Sequence, residues 1–247
     1  MESNLTLRQN GAMTPHSSWH WILPLAFFLE MVACAPRIDP AAKADVDRRL
    51  SLLTRAKKSY PILELFVPRP LAVGQWTQMK LVSDKGQPSI HTYKIVGESS
   101  GAYWFEIVNE EYSGKTITKI LLFIGDRKNP DTIEVRQVKM KNPDGSVNIF
   151  EGSMLSLMQT RWKELVNLLS IKWEGQERED VSTMAGKFAG CFKVRSEANF
   201  GPFHAASMSW SHPAVPINGL VKTTGIDHLA TMELVAFGEK GAVSEIP

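Results

Sequence analysis

Two stretches of the chain, 75–141 and 179–238, consist of short runs of β-branched and aromatic residues separated by turn formers. Runs of that length and composition read as strands. The first block predicts strands over 75–83, 91–97, 102–109, 115–125 and 132–141, and the second over 179–183, 186–196, 205–211, 219–224 and 231–238. Asp84-Lys85-Gly86, Glu98-Ser99-Ser100-Gly101, Tyr112-Ser113-Gly114 and the stretch 126–131 separate the first five. Loops this short pair neighbouring strands antiparallel, as a meander. Asn142-Pro143-Asp144-Gly145 forms a further turn.

Helical patterns precede each block. Asp39-Pro40 has the chemistry of a helix start, with Asp as cap and Pro in the first turn. Val46, Leu50 and Leu53 then recur on one face, Lys57 and Lys58 would close the last turn, and Pro61 stops the run, which predicts a helix over 40–59. The second pattern covers 153–173. Met154, Met158, Trp162, Leu165 and Leu169 follow one another at steps of four, four, three and four, and Gly175 lies just beyond. Helix, strands, helix, strands is an α+β order with an antiparallel sheet.

At 247 residues, with 43% hydrophobic and 22% charged residues, the chain has the make-up of one globular body able to bury a core without staples. Lys and Arg number 28 against 26 Asp and Glu, spread evenly. No basic stripe is present, so no nucleic-acid partner is expected. With two cysteines and four scattered histidines beyond residue 34, no metal site, redox motif or cofactor is expected either.

The N-terminal part is different. Trp21 to Ala33 is an apolar stretch of thirteen residues broken by Pro24 and Glu30, too short for a comfortable bilayer span but suited to the core of an export signal. It ends in Met31-Val32-Ala33-Cys34, which resembles the lipobox of bacterial lipoproteins. The resemblance implies that residues 1–33 are a signal peptide and that Cys34 becomes the lipid-modified first residue. Residues 34–40 then serve as a tether and 41–247 as the folded body, whichever of Met1 and Met13 starts translation. Cys191 is left without a disulfide partner. The implied location is the cell envelope, anchored by lipid. Ala35 after Cys34 makes the outer membrane, facing the periplasm, the default.

Two short motifs carry no catalytic expectation. Gly97-Glu98-Ser99-Ser100-Gly101 has the letters of a nucleophile elbow, but a strand follows where that motif needs a helix, so it reads as a hairpin turn. Gly114-Lys115-Thr116 ends like a phosphate-binding loop, but Asn109 stands where its first glycine belongs. No enzyme is expected.

Met184-Ala185-Gly186-Lys187-Phe188, the segment from Trp210 to Lys222 with its Val215-Pro216 and Gly219, and the closing run from Met232 to Gly238 resemble uncharacterised lipoproteins of the LolA/LolB/LppX-like superfamily. Tyr103-Trp104-Phe105-Glu106 with Lys119 fits the same pattern, and the likeness spans roughly 74–241. It implies a strongly curved antiparallel sheet, an incomplete β-barrel, with helices covering its concave face. It also implies an apolar ligand in the concavity: a lipid, an acyl chain or a lipoprotein anchor. The expected cavity wall is Met154, Met158, Trp162, Leu165 and Leu169, together with Trp104. The alternative is a structural or interaction lipoprotein, a subunit of an envelope complex, whose interior is filled by its own chain. An exposed apolar patch would then mark the partner's place.

Overall fold

The computed structural model describes residues 38–65, 67, 69–125, 132–152, 155, 177–200, 203–226 and 230–247. Helix α1 (Pro40–Ser51) opens the body, and β1 (Ser59–Tyr60), β2 (Trp76–Val82), β3 (Pro88–Ser99), β4 (Ala102–Glu111), β5 (Gly114–Ile124), β6 (Ile133–Lys141) and β7 (Val147–Phe150) follow. The second block comprises β8 (Glu177–Thr183), β9 (Gly186–Phe200), β10 (Phe203–Ser211), β11 (Leu220–Gly225) and β12 (Thr231–Gly238). The ten expected strands are all present. β7 is an addition, formed where Val147–Phe150 folds back on β6 after the Asn142 turn.

Side by side the strands run β9, β10, β11, β12, β2, β3, β4, β5, β6, β7, with β8 and β1 both on β9. All pairs are antiparallel except the two-residue β1–β9 bridge. β12 pairs with β2, which splices the two meanders into one open, curled sheet. β7 and β8 are consecutive in the described chain yet stand at opposite ends of it. The tip of the β8–β9 hairpin curls back onto β12, where Ala185 N–H donates to Leu234 O at 3.3 Å.

Strand alternation gives the sheet two unlike faces. Register places Ile95, Phe105, Ile120 and Val138 in one row on the apolar face. The row beside it, Lys94, Glu106, Lys119 and Lys139, stands on the other. The apolar face forms two buried clusters. The first joins β3–β6 to Leu71, Leu155 and Ile217, and the second joins Met79, Met232 and Leu234 to Val181, Phe188 and Cys191 of β8–β9.

α1 differs from expectation twice. It stops at Ser51 rather than 59, so Arg48 and Arg49 occupy the last turn, not Lys57 and Lys58. The sheet captures the downstream backbone instead: Ala56 N–H donates to Met184 O at 2.8 Å, and Lys58 O accepts from Lys187 N–H at 2.9 Å. The start is as expected, with the Asp39 carboxylate accepting from the Ala41 and Ala42 N–H groups. Nor does α1 cover the apolar face. Its Arg49 pairs with Glu110, which lies on the polar face with Glu106, and Val46 is its one buried residue. A helix so polar has too little apolar surface to seal an apolar layer. The expected helix over 153–173 lies outside the described residues apart from Leu155, which is helical and buried in the first cluster.

Candidate functional site: a closed apolar face and an exposed apolar segment

The expected site residues separate. Cys34 and the signal, and Met154, Met158, Trp162, Leu165 and Leu169, lie outside the described residues. Trp104 is described, and it is not on the apolar face. It alternates with Phe105 onto the polar side, half-buried, where the Lys119 and Lys139 ammonium groups sit 5.3 and 5.7 Å from its ring. Its indole therefore serves as a cation platform and lines no apolar wall.

The apolar face is tightly packed along its central rows. A side chain bordering a ligand-sized void keeps accessible surface on that side, yet Ile95, Val138 and Leu234 keep none and Ile120 and Met79 only 1%. Burial pushes the Tyr93 phenol at the junction of the two clusters up to about 12. It does the same to the Cys191 thiol, which lies inside the second cluster without a disulfide partner.

Towards the β2–β3 turn the same face ends in a small polar cavity of about 50 Å³, lined among others by Leu81, Ser89, His91, Glu111 and Tyr112. Ser89 Oγ and His91 Nε2 are 2.9 Å apart, and both residues are buried. Burial depresses His91 to about 4, which keeps the ring neutral and makes it a poor base at neutral pH. Asn109 faces His91 across the β3–β4 ladder, and among the described residues its buried Oδ1 has no hydrogen-bond donor. A space of this size takes ordered water, not an acyl chain.

Ser99 and Ser100 occupy a tight hairpin, as the motif reading expects. Ser99 pairs with Ala102, and Ser100 and Gly101 between them have φ of 50° and 71°. That is a two-residue turn in the left-handed region, with strand on both sides.

Sequence reasoning overlooked a segment that the fold presents outward. After β1, Ile62, Leu63, Leu65 and Val67 are exposed, Leu65 at 76%. The fold holds this segment by its backbone. Arg178 donates to Leu63 O and Glu64 O at 2.7 and 2.6 Å, and His212 Nε2 lies 3.1 Å from Pro61 O. The Ala214 N–H donates to Nδ1 of the same ring, which fixes the proton on Nε2. Gly190, with φ of 63°, leaves room for Ile62, whose side chain a β-carbon there would meet at 2.5 Å. The signal for this segment was in the sequence: Pro61-Ile62-Leu63-Glu64-Leu65-Phe66-Val67 is an apolar run with neither strand alternation nor helical period.

No family model and no curated protein matches the chain. Among solved structures, that of a presumed exported protein of Bacteroides fragilis with a YmcC-like fold aligns with 70% of this chain and 99% of its own, at 12% identity and a TM-score of 0.35. A likeness of that strength carries no argument about fold or function.

Proposed function

We propose that the chain is an exported, lipid-anchored, non-enzymatic protein of the cell envelope. Its folded body works through its surface, as an interaction subunit, and does not enclose a ligand. Anchoring rests on the lipobox ending at Cys34, with the outer membrane facing the periplasm as the location. The interaction role rests on one observation: the central strand side chains of the apolar face, Ile95, Ile120, Val138, Met79 and Leu234, are buried while apolar side chains at 62, 63, 65 and 67 are left in solvent. Four exposed aliphatic side chains within six residues make a contiguous apolar patch, the kind of surface that a partner covers.

A second reading, binding of a lipid or acyl chain, draws support from the stripe Met154, Met158, Trp162, Leu165 and Leu169. Methionine and aromatic side chains adapt to varied apolar guests. Native mass spectrometry of the body from Ala35 onward, secreted to a periplasm, separates the two. The interaction role expects bare protein. A stoichiometric lipid adduct overturns it in favour of the second reading.

A further inference from the structure

The polar face carries a site that none of these considerations touches. Residues 243–247 cross it as an irregular segment with a bend at Glu245, and side chains of β3, β4, β5 and β6 hold them. Glu106, fully buried, accepts from Ser244 Oγ at 2.7 Å, from Glu245 N–H at 3.0 Å and from Ile246 N–H at 3.4 Å. Lys94 donates to Val243 O at 3.2 Å and to Glu245 Oε1 at 2.6 Å, and Lys115 also pairs with Glu245. Lys119 donates to Ile246 O at 2.6 Å and Lys139 to Pro247 O at 2.9 Å. The Ile246 side chain enters a small apolar socket between Val108 and Ile117.

We propose that this row is a peptide-recognition groove, and that residues 243–247 are its ligand bound in cis. The ligand class is a short peptide presenting a hydroxyl, a carboxylate and an aliphatic side chain in succession, as Ser244-Glu245-Ile246 does, with a bend at the carboxylate residue. Three features distinguish the contact from ordinary chain packing. Side chains, not a β-ladder, read the tail backbone from both ends, with a carboxylate for its N–H groups and ammonium groups for its carbonyls. The specificity elements sit at alternate depths, Glu245 partly in water and Ile246 buried. The holding forces are mainly charge–charge and charge-assisted hydrogen bonds, which give the contact geometric specificity. Burial alone would raise the Glu245 pKa, but the hydrogen bonds from Lys115 and Lys94 outweigh it and hold the carboxyl below its ordinary range. The link to β12 is short and passes through Gly241, with φ of 101°. The tail therefore competes for the groove at an effective concentration on the order of millimolar.

The test uses the full chain and a labelled peptide, Ala-Val-Ser-Glu-Ile-Pro. In Glu245→Lys the tail meets Lys94 and Lys115 with like charge and should leave the groove. Hydrogen exchange at 244–246 should rise, and the variant should bind the peptide at least about tenfold more tightly than the natural chain does. Ser244→Ala should fall between them, and adding Glu106→Gln to Glu245→Lys should abolish binding. Three results would overturn the proposal: exchange at 244–246 unchanged in Glu245→Lys, a released tail without gain in peptide binding, or a Glu245→Lys chain that cannot fold. The last would show that the tail is an obligatory part of the core.

Discussion

Lys94 donates a hydrogen bond to the buried carboxylate of Glu106 at 3.1 Å, directly across the β3–β4 ladder. Removing Glu106 leaves Lys94 only its Glu245 and Val243 partners and takes the acceptor from the partly and fully buried Glu245 and Ile246 N–H groups. Glu106→Ala is expected to cost about 3–5 kcal/mol in urea unfolding, more than a solvent-exposed pair such as Lys43–Asp47. A loss below about 1 kcal/mol would show that water reaches the pair.

His91 sets an acid limit on stability. Its ordinary value is 6.5 and burial depresses it to about 4 in the fold. Below 6.5 the unfolded chain therefore takes up a proton that the native one refuses. Stability should be full above pH 6.5 and fall as pH drops towards 4, by roughly 3 kcal/mol from this residue alone. His212, also depressed chiefly by burial, adds in the same sense. Urea titrations at pH 7, 5.5 and 4.5 should show the decline, and His91→Gln should flatten it. Stability that stays level or rises over this interval would contradict the assignment.

Cys191 should be chemically silent in the native protein. It is fully buried, and burial drives its thiol to about 12. In a chain starting at Ala35 it is the sole thiol. A thiol reagent at pH 8 should label it only after denaturation, because the thiolate is the reacting form. Rapid labelling without urea would mean that the second core cluster opens.

The Ser100-Gly101 turn offers a stabilising change. Asn tolerates the left-handed region better than Ser, so Ser100→Asn should raise stability by a few tenths to about 1 kcal/mol. Ser99→Ala should change neither stability nor any hydrolytic activity of the preparation. An esterase activity lost in Ser99→Ala would contradict the turn reading.

The strands were legible because alternation and turn chemistry are local. Ser100-Gly101 and the Asn142 to Gly145 stretch announce their hairpins within four residues, and the runs between them keep period two. What joins the strands was not legible. The β12–β2 pairing links Leu234 to Met79 across more than 150 residues, and no local preference records such a choice of neighbour. β1 escaped because two residues carry no period, and its bridge to Lys187 and Phe188 cut short a helix that the spacing of Val46, Leu50 and Leu53 favoured. Trp104 was placed on the wrong side because an aromatic residue suggests apolar surroundings, whereas its strand parity is that of Glu106 and Glu110. Read by alternation, Glu106 and Glu110 share the side of β4 that carries Trp104, which already places two carboxylates on that side. The lysines opposite them could be assigned only once the strand register was in hand.

Intact mass spectrometry of the full-length protein, expressed with its own leader and extracted from membranes in detergent, tests the envelope assignment most directly. The expected result is a chain that begins at Cys34 and carries covalent acyl groups, since two or more chains give stable membrane attachment where one does not. A chain that retains Met1 or Met13 with an unmodified Cys34 thiol would contradict it.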